Sequence, residues 1–274
     1  MRVLLHLIYR GSLIGLLTVS ALVSQSSAGL LPKRSWEIGL FQPFRYGFSD
    51  KINYSTHPIL FFVMPNLSIK VLHRKGKLFS SSTRYSVYYP TKLLKMLQTG
   101  IEVGDETASL IAPNFKIPHM VGFSSDYIIT KPYGFGIISI YGGVNVGVVF
   151  GDLDDRTSID LPLVYHRFGI FYNRYGIDMG IDFSKQITDA ISCDVDFDLK
   201  ILPNFSGSYS FEHKILLSWK KSERVSFSTG YKYVYGEFPY GKKGRLLPYL
   251  PLIESWVPIF DIQWVGLRKN RKIK

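Results

Sequence analysis

Cysteine is almost missing from this 274-residue chain, with Cys193 standing alone. A single thiol forms no internal disulfide, so the fold must be held by strand pairing and packing, and the bland reading of Cys193 is a packed, unreactive residue. Long apolar runs are scarce as well. Only the stretch from Leu13 to Val23 approaches the roughly 20 apolar residues of a spanning helix, which excludes a polytopic helical membrane protein. Catalytic signatures are also lacking: there is no G-x-S-x-G, no phosphate-cradling glycine loop, no His/Cys metal spacing and no repeat period. His57, His73, His119, His166 and His213 are scattered and serine is abundant, so no pair stands out as nucleophile and base. The loop Gly151-Asp152-Leu153-Asp154-Asp155 lacks the alternating acids and the later glutamate of a calcium loop and reads as a solvated turn. No cofactor and no metal is implied.

Residues 1 to 28 carry Arg2 and Arg10, then the short apolar run, then Ser24-Gln25-Ser26-Ser27-Ala28. A basic start, an apolar middle and small residues at Ser26 and Ala28 predict a secretory leader cleaved after Ala28. The formal charge of +12 is also unevenly spread. Arg2 and Arg10 leave with the leader, and Arg268, Lys269, Arg271, Lys272 and Lys274 crowd the basic tail of residues 268 to 274. The body therefore carries little net charge, which argues against a nucleic-acid partner and places the tail near anionic lipid.

Aromatic residues are plentiful, with 18 Tyr, 19 Phe and 4 Trp, and they sit in alternating patterns. From Phe205 to Trp219 the odd positions are mostly apolar, and Ser206, Ser208, Ser210, Glu212, Lys214 and Ser218 fill the even ones. Val225 to Tyr235, Ile138 to Val148 and Phe260 to Trp264 alternate in the same way. The polar faces mix Gly, Ser, Asn and Tyr with isolated charges, unlike the charge-rich outer face of a soluble sandwich.

Long strands with one apolar face and one small, polar face predict an all-β chain: a single antiparallel transmembrane β-barrel over residues 29 to 267. The patterning gives about 12 strands, with a range of 10 to 14, at roughly 36–46, 51–57, 65–74, 77–89, 119–131, 135–150, 162–174, 175–186, 190–202, 205–220, 224–236 and 256–267. Two stretches fall outside it, Pro90 to Pro118 and Glu237 to Ser255; the strand count puts them at opposite ends of the barrel. Thr91 to Leu97 predicts one short helix with a threonine cap. Trp36, Tyr89, Tyr133, Tyr235 and Trp256 are candidates for interfacial aromatic girdles. With Trp36-Glu37-Ile38-Gly39-Leu40-Phe41-Gln42-Pro43 and the segment from Thr56 to Asn66, the chain resembles an uncharacterised family of bacterial outer-membrane β-barrel proteins. That resemblance implies a Gram-negative outer membrane, with its lipid, lipopolysaccharide and barrel-insertion machinery as partners, and a monomer.

Charge supplies the candidate site. Asp178 and Asp182 share one face, as do Asp194, Asp196 and Asp198, and Asp261 lies on the polar face of the last strand. A turn near Thr188 sets Asp182 opposite Asp194 and Asp178 opposite Asp198. Like charges so placed repel unless compensated, and Lys200, Lys214 and Lys232 on following strands are the candidate partners. An internal salt-bridge ladder is expected, with a cation-attracting wall or a divalent-metal site as the sharper alternative. Three functions follow: a small pore or structural, adhesive barrel; a lipid-active enzyme; or a soluble periplasmic barrel binding an apolar ligand.

Overall fold

The computed structural model describes residues 27–99, 101–103, 106–108, 111–158, 164–203, 207–238 and 256–266. Twelve antiparallel strands close into one barrel. The first five are β1 (Trp36–Gly39), β2 (Phe44–Gly47), β3 (Ile52–Thr56), β4 (Asn66–Lys75) and β5 (Ser80–Tyr88). Seven more follow: β8 (His119–Tyr133), β9 (Gly136–Phe150), β10 (Tyr175–Gln186), β11 (Ile191–Ile201), β12 (Tyr209–Lys220), β13 (Val225–Gly236) and β14 (Trp256–Gly266). Consecutive barrel strands pair, and β1 closes the ring on β14 from Trp36 opposite Gly266 to Gly39 opposite Gln263. A separate hairpin, β6 (Ile101–Val103) and β7 (Glu106–Ala108), lies in the connection from β5 to β8.

Period-two patterning places the side chains. Ile140, Val144, Phe197, Leu217 and Phe260 point outward and are exposed, whereas Asp126, Ser139, Glu212, Lys232 and Asp261 point inward and are buried. An apolar exterior around a polar interior is the inverse of a water-soluble barrel. Trp36 and Tyr133 are exposed at one rim with Trp219 and Trp264. Tyr89 and Tyr235 lie at the other, beside exposed Phe150, Tyr175 and Tyr209. The side chain of Trp256 is outside the described residues.

The two ends differ. At one, the strands join through short turns at 48–51, 76–79, 134–135, 187–190 and 221–224. The other carries the connections 57–65, 89–118, 151–174 and 237–255. Both long stretches thus share an end, correcting the expectation that they oppose each other. The strand list held two errors, of which the second, lying between the two stretches, produced that expectation. The expected strand 36–46 is two strands, because Pro43 has no N–H for a ladder and the Asp261 carboxylate accepts the Phe41 N–H at 2.9 Å, fixing the reversal between β1 and β2. The expected strand 162–174 is helical where described: α3 (Tyr165–Phe168) and α4 (Ile170–Asn173), ended by Arg174 at φ 71°. Its aromatics mimic a strand by composition but lack alternation, and they are buried on both sides. The two errors cancel in the total of twelve.

The described parts of the connections 57–65, 89–118 and 151–174 form the apolar core. In α2 (Thr91–Thr99), Leu93, Leu94 and Leu97 make one buried stripe against Ile111, Met120, Phe168, Phe171 and Leu202. The expected helix is present, but Thr91 is its first residue rather than its cap. The Thr91 hydroxyl donates to the Pro118 carbonyl at 3.0 Å and accepts the Met120 N–H at 2.8 Å, tying the helix to β8. A further short helix, α1 (Pro58–Phe61), starts at His57, whose Nδ1 accepts the Leu60 N–H. The barrel is therefore roofed at this end by packed side chains.

Candidate functional site

Strand register arranges the inward side chains in rows across the sheet. One row runs Asn53, Lys70, Arg84, Asp126, Gly143, Asp178, Lys200, Ser210. A second, nearer the short turns, runs Ser82, Ile128, Tyr141, Gly180, Asp198, Glu212, Val234. The third runs Ser80, Thr130, Ser139, Asp182, Asp196, Lys214, Lys232.

Within these rows the acids meet bases. Lys200 Nζ lies 2.7 Å from Asp178 Oδ2, and Lys214 pairs with Asp196. Lys232 Nζ is 2.7 Å from Glu212 Oε2 and 3.8 Å from Asp198 Oδ2. Tyr141 donates its hydroxyl to Asp198 at 2.6 Å. Asp194 faces inward nearer the turns, opposite Ser184. Asp261 sits apart from the others, at the β1–β2 reversal.

The register differs from the one expected by two residues. Asp178 faces Lys200 and Asp182 faces Asp196, while Asp198 faces Gly180 and Asp194 faces Ser184. The Thr188 hydroxyl accepts the Ala190 and Ile191 N–H groups, centring the turn one residue later than assumed. That shift replaces one acid–acid contact by an ion pair.

Several partners were missed. Arg167, from α3, reaches the barrel wall and donates through Nη1 and Nη2 to Glu212 at 2.5 and 2.7 Å. Glu212 is wholly buried and binds both Arg167 and Lys232. On the opposite wall, Arg84 donates to Asp126 at 2.9 Å and Arg45 pairs with Glu37. Alternation in β12 placed Glu212 on the polar face; nothing local marked Arg167, which arrives from a connection.

Residues 27 and 28 lie inside the barrel, and residues 29 to 35 lead from there to β1 past an exposed turn at 32–34. The Ala28 N–H donates to Thr130 Oγ1 at 2.7 Å, and its side chain is enclosed with Ile128 and Tyr141. Lys70 Nζ donates to the Ser27 carbonyl at 2.7 Å, and the Gly47 N–H donates to the Ser35 carbonyl at 2.9 Å. Gly47 is required there, since a β-carbon would stand 2.2 Å from the Pro32 carbonyl oxygen.

The interior is divided. One cavity of about 370 Å³ is lined by Arg45, Lys70, Arg84, Asp126, Asp178, Lys200 and the connection residues His166 and Arg167. Another of about 360 Å³, towards the turns, is lined by Asp182, Asp194, Asp196, Lys214 and several serines. Ile128, Tyr141, Asp198, Glu212 and Val234 line neither and form a waist between them.

The histidines have other work. His73 bonds Thr83, His119 bonds Tyr89, and His213 contacts the Asp196 carbonyl and Tyr231. His57 donates from Nε2 to the Phe41 carbonyl. His166 is buried between the Tyr165 and Phe238 rings, and neither ring nitrogen makes a hydrogen bond of good geometry, although the Glu237 backbone is near. Burial pushes its imidazole down to about 4, against the opposing pull of Glu212. Asp154 caps the turn at Asp155–Thr157 and binds Arg156, a use internal to the loop.

No family model and no curated protein matches this sequence. Similar solved structures include the outer-membrane expressed OmpT of Vibrio cholerae, at 8% identity and TM-score 0.41, over 82% of this chain and 64% of that one. The outer membrane channel DcaP of Acinetobacter baumannii aligns at 8% identity and TM-score 0.38, over 82% of this chain and 62% of that one. The chain spans less than two thirds of the length of both. Neither likeness is close, and the barrel architecture rests on this chain's own closed ring of twelve paired strands.

Proposed function

We propose that this chain is exported by a cleaved leader of residues 1 to 28, inserts in the outer membrane of a Gram-negative bacterium, and forms a small pore with a constricted lumen. The observation that carries this is the divided interior: two polar, charge-lined cavities separated by one layer of side chains. A barrel serving only as a scaffold has no need of Ser68, Ser86, Ser124, Asn145 and Gly176 around such a cavity; small polar residues leave room for water and solute. The apolar exterior fits lipid and lipopolysaccharide as neighbours and the insertion machinery as the assembly partner. The basic tail, outside the described residues, would rest near anionic headgroups.

Planar-bilayer conductance tests the reading. The folded barrel, identified by a gel mobility that changes on boiling, should pass a small steady current. Arg167→Ala, which unclips α3 from the wall, should raise that current severalfold. A folded, heat-modifiable barrel that passes no current in either form would make it a structural barrel instead.

A further inference from the structure

We infer that the lumen contains a binding site for a small oxyanion, a carboxylate or a phosphate, centred on Lys70 between Arg45 and Arg84. This deepens the pore reading by naming a solute class, and it rests on the removal of residues 1 to 28.

Cation pairing singles out this wall. Arg45, Arg84, Arg167, Lys200, Lys214 and Lys232 each contact a carboxylate. Lys70 contacts none among the described residues; its hydrogen-bond partner is the Ser27 carbonyl. Register sets Lys70 directly opposite Arg84, a like-charge pair that is unfavourable in a sheet without an anion nearby. The comparable pair Lys214 and Lys232 has Asp196, Glu212 and Asp198 beside it. On the Lys70 wall the two carboxylates, Glu37 and Asp126, are already held by Arg45 and Arg84. Asp182 and Asp126 act on Lys70 only at longer range.

The Ser27 carbonyl oxygen stands where a ligand oxygen would. It is a poor substitute, because an ionised acceptor makes a hydrogen bond roughly twice as strong as a neutral one. Ser27 and Ala28 also block the interior: Ser27 lines the turn-side cavity while Lys70 lines the other, and Ala28 fills the waist against Ile128 and Tyr141. Cleavage after Ala28 takes both residues away. It leaves Lys70 without its partner and opens a passage between the cavities at the point where the cations cluster. Asn53, in register with Lys70, and the hydrogen-bonded Ser68 and Ser86 hydroxyls line the same cavity and offer neutral contacts to the ligand.

The test uses the exported protein purified from membranes, with Gly29 confirmed as its first residue by mass spectrometry. Inorganic phosphate and acetate are titrated separately by calorimetry, and the thermal midpoint is followed in parallel. At least one anion should bind and raise the midpoint; the two arms decide between phosphate and carboxylate. Lys70→Met should weaken binding about tenfold or more, the loss of one charge-assisted contact, while Lys70→Arg and the exposed-site control Lys75→Met should retain it. No binding by the wild-type protein, equal binding by a folded Lys70→Met, or a chain still beginning before Ser27 overturns the site. Binding that depends on Lys70 in a barrel without conductance would leave the site standing and remove the pore; conductance without anion binding does the reverse.

Discussion

Glu212→Ala is the most informative single change where the barrel wall holds the roof. The Glu212 carboxylate has no exposure and receives two hydrogen bonds from Arg167, at 2.5 and 2.7 Å, and one from Lys232 at 2.7 Å. Removing it takes from both cations their nearest carboxylate; Lys232 retains the looser Asp198 contact at 3.8 Å. Breaking a buried pair from one side costs about 3–5 kcal/mol, because a charge is left desolvated and unmatched. Arg167→Met should cost less, about 2 kcal/mol, since Glu212 then retains Lys232. The double variant should be less destabilised than the sum of the singles, because the Arg167 charge is removed together with the carboxylate that it binds. Urea unfolding in lipid vesicles, followed by tryptophan fluorescence, measures all three. Proteolysis at residues 164 to 173 should accelerate in both single variants. A loss below about 1 kcal/mol for Glu212→Ala, the range of solvent-exposed pairs, would refute the idea that this carboxylate anchors the roof.

The remaining predictions address acid response and the lipid face. The folded His166 imidazole titrates at about 4, below its ordinary value of 6.5, so the unfolded chain takes up the proton first as pH falls. Stability should be intact above pH 6.5, decline between 6.5 and about 4, and level off below; His166→Phe should flatten that segment of a pH series of unfolding midpoints. Ile140 points outward from β9 and is exposed. Ile140→Arg should destabilise the vesicle-embedded barrel by about 2–4 kcal/mol if it faces the bilayer centre, and a change within about 0.5 kcal/mol would mean that water covers that face.

Alternation carried most of what could be read from the sequence. In β12 and β13 each inward position is polar or small apart from Leu216 and Val234, and those two bury together with Ile259. Period two assigns faces but is blind to a slip of two residues, which is why the β10–β11 pairing was misread while its faces were correct. Short strands were also beyond it: four-residue β1 and β2 are too brief for a period, and their separation depends on Asp261, 220 positions from Phe41. The segment around Tyr165 had strand-like composition, and only tertiary packing against Leu202 and the α2 stripe makes it helical. Arg167 and Lys70 could not be found locally, since the partner of one comes from a distant strand and that of the other from the N-terminal segment.

The rows of inward charge also bear on how such a barrel reaches a single pairing during assembly. A slip of one residue between β10 and β11 would turn the carboxylates toward hydrocarbon, a penalty steep enough to reject the error. A slip of two preserves every face, and an uncharged wall would tolerate it. Here it would set Asp178 against Asp198 and Asp182 against Asp194, discarding the Asp178–Lys200 contact. The same ions that occupy the lumen therefore proofread strand alignment, penalising the mispairing that hydrophobic patterning alone cannot detect.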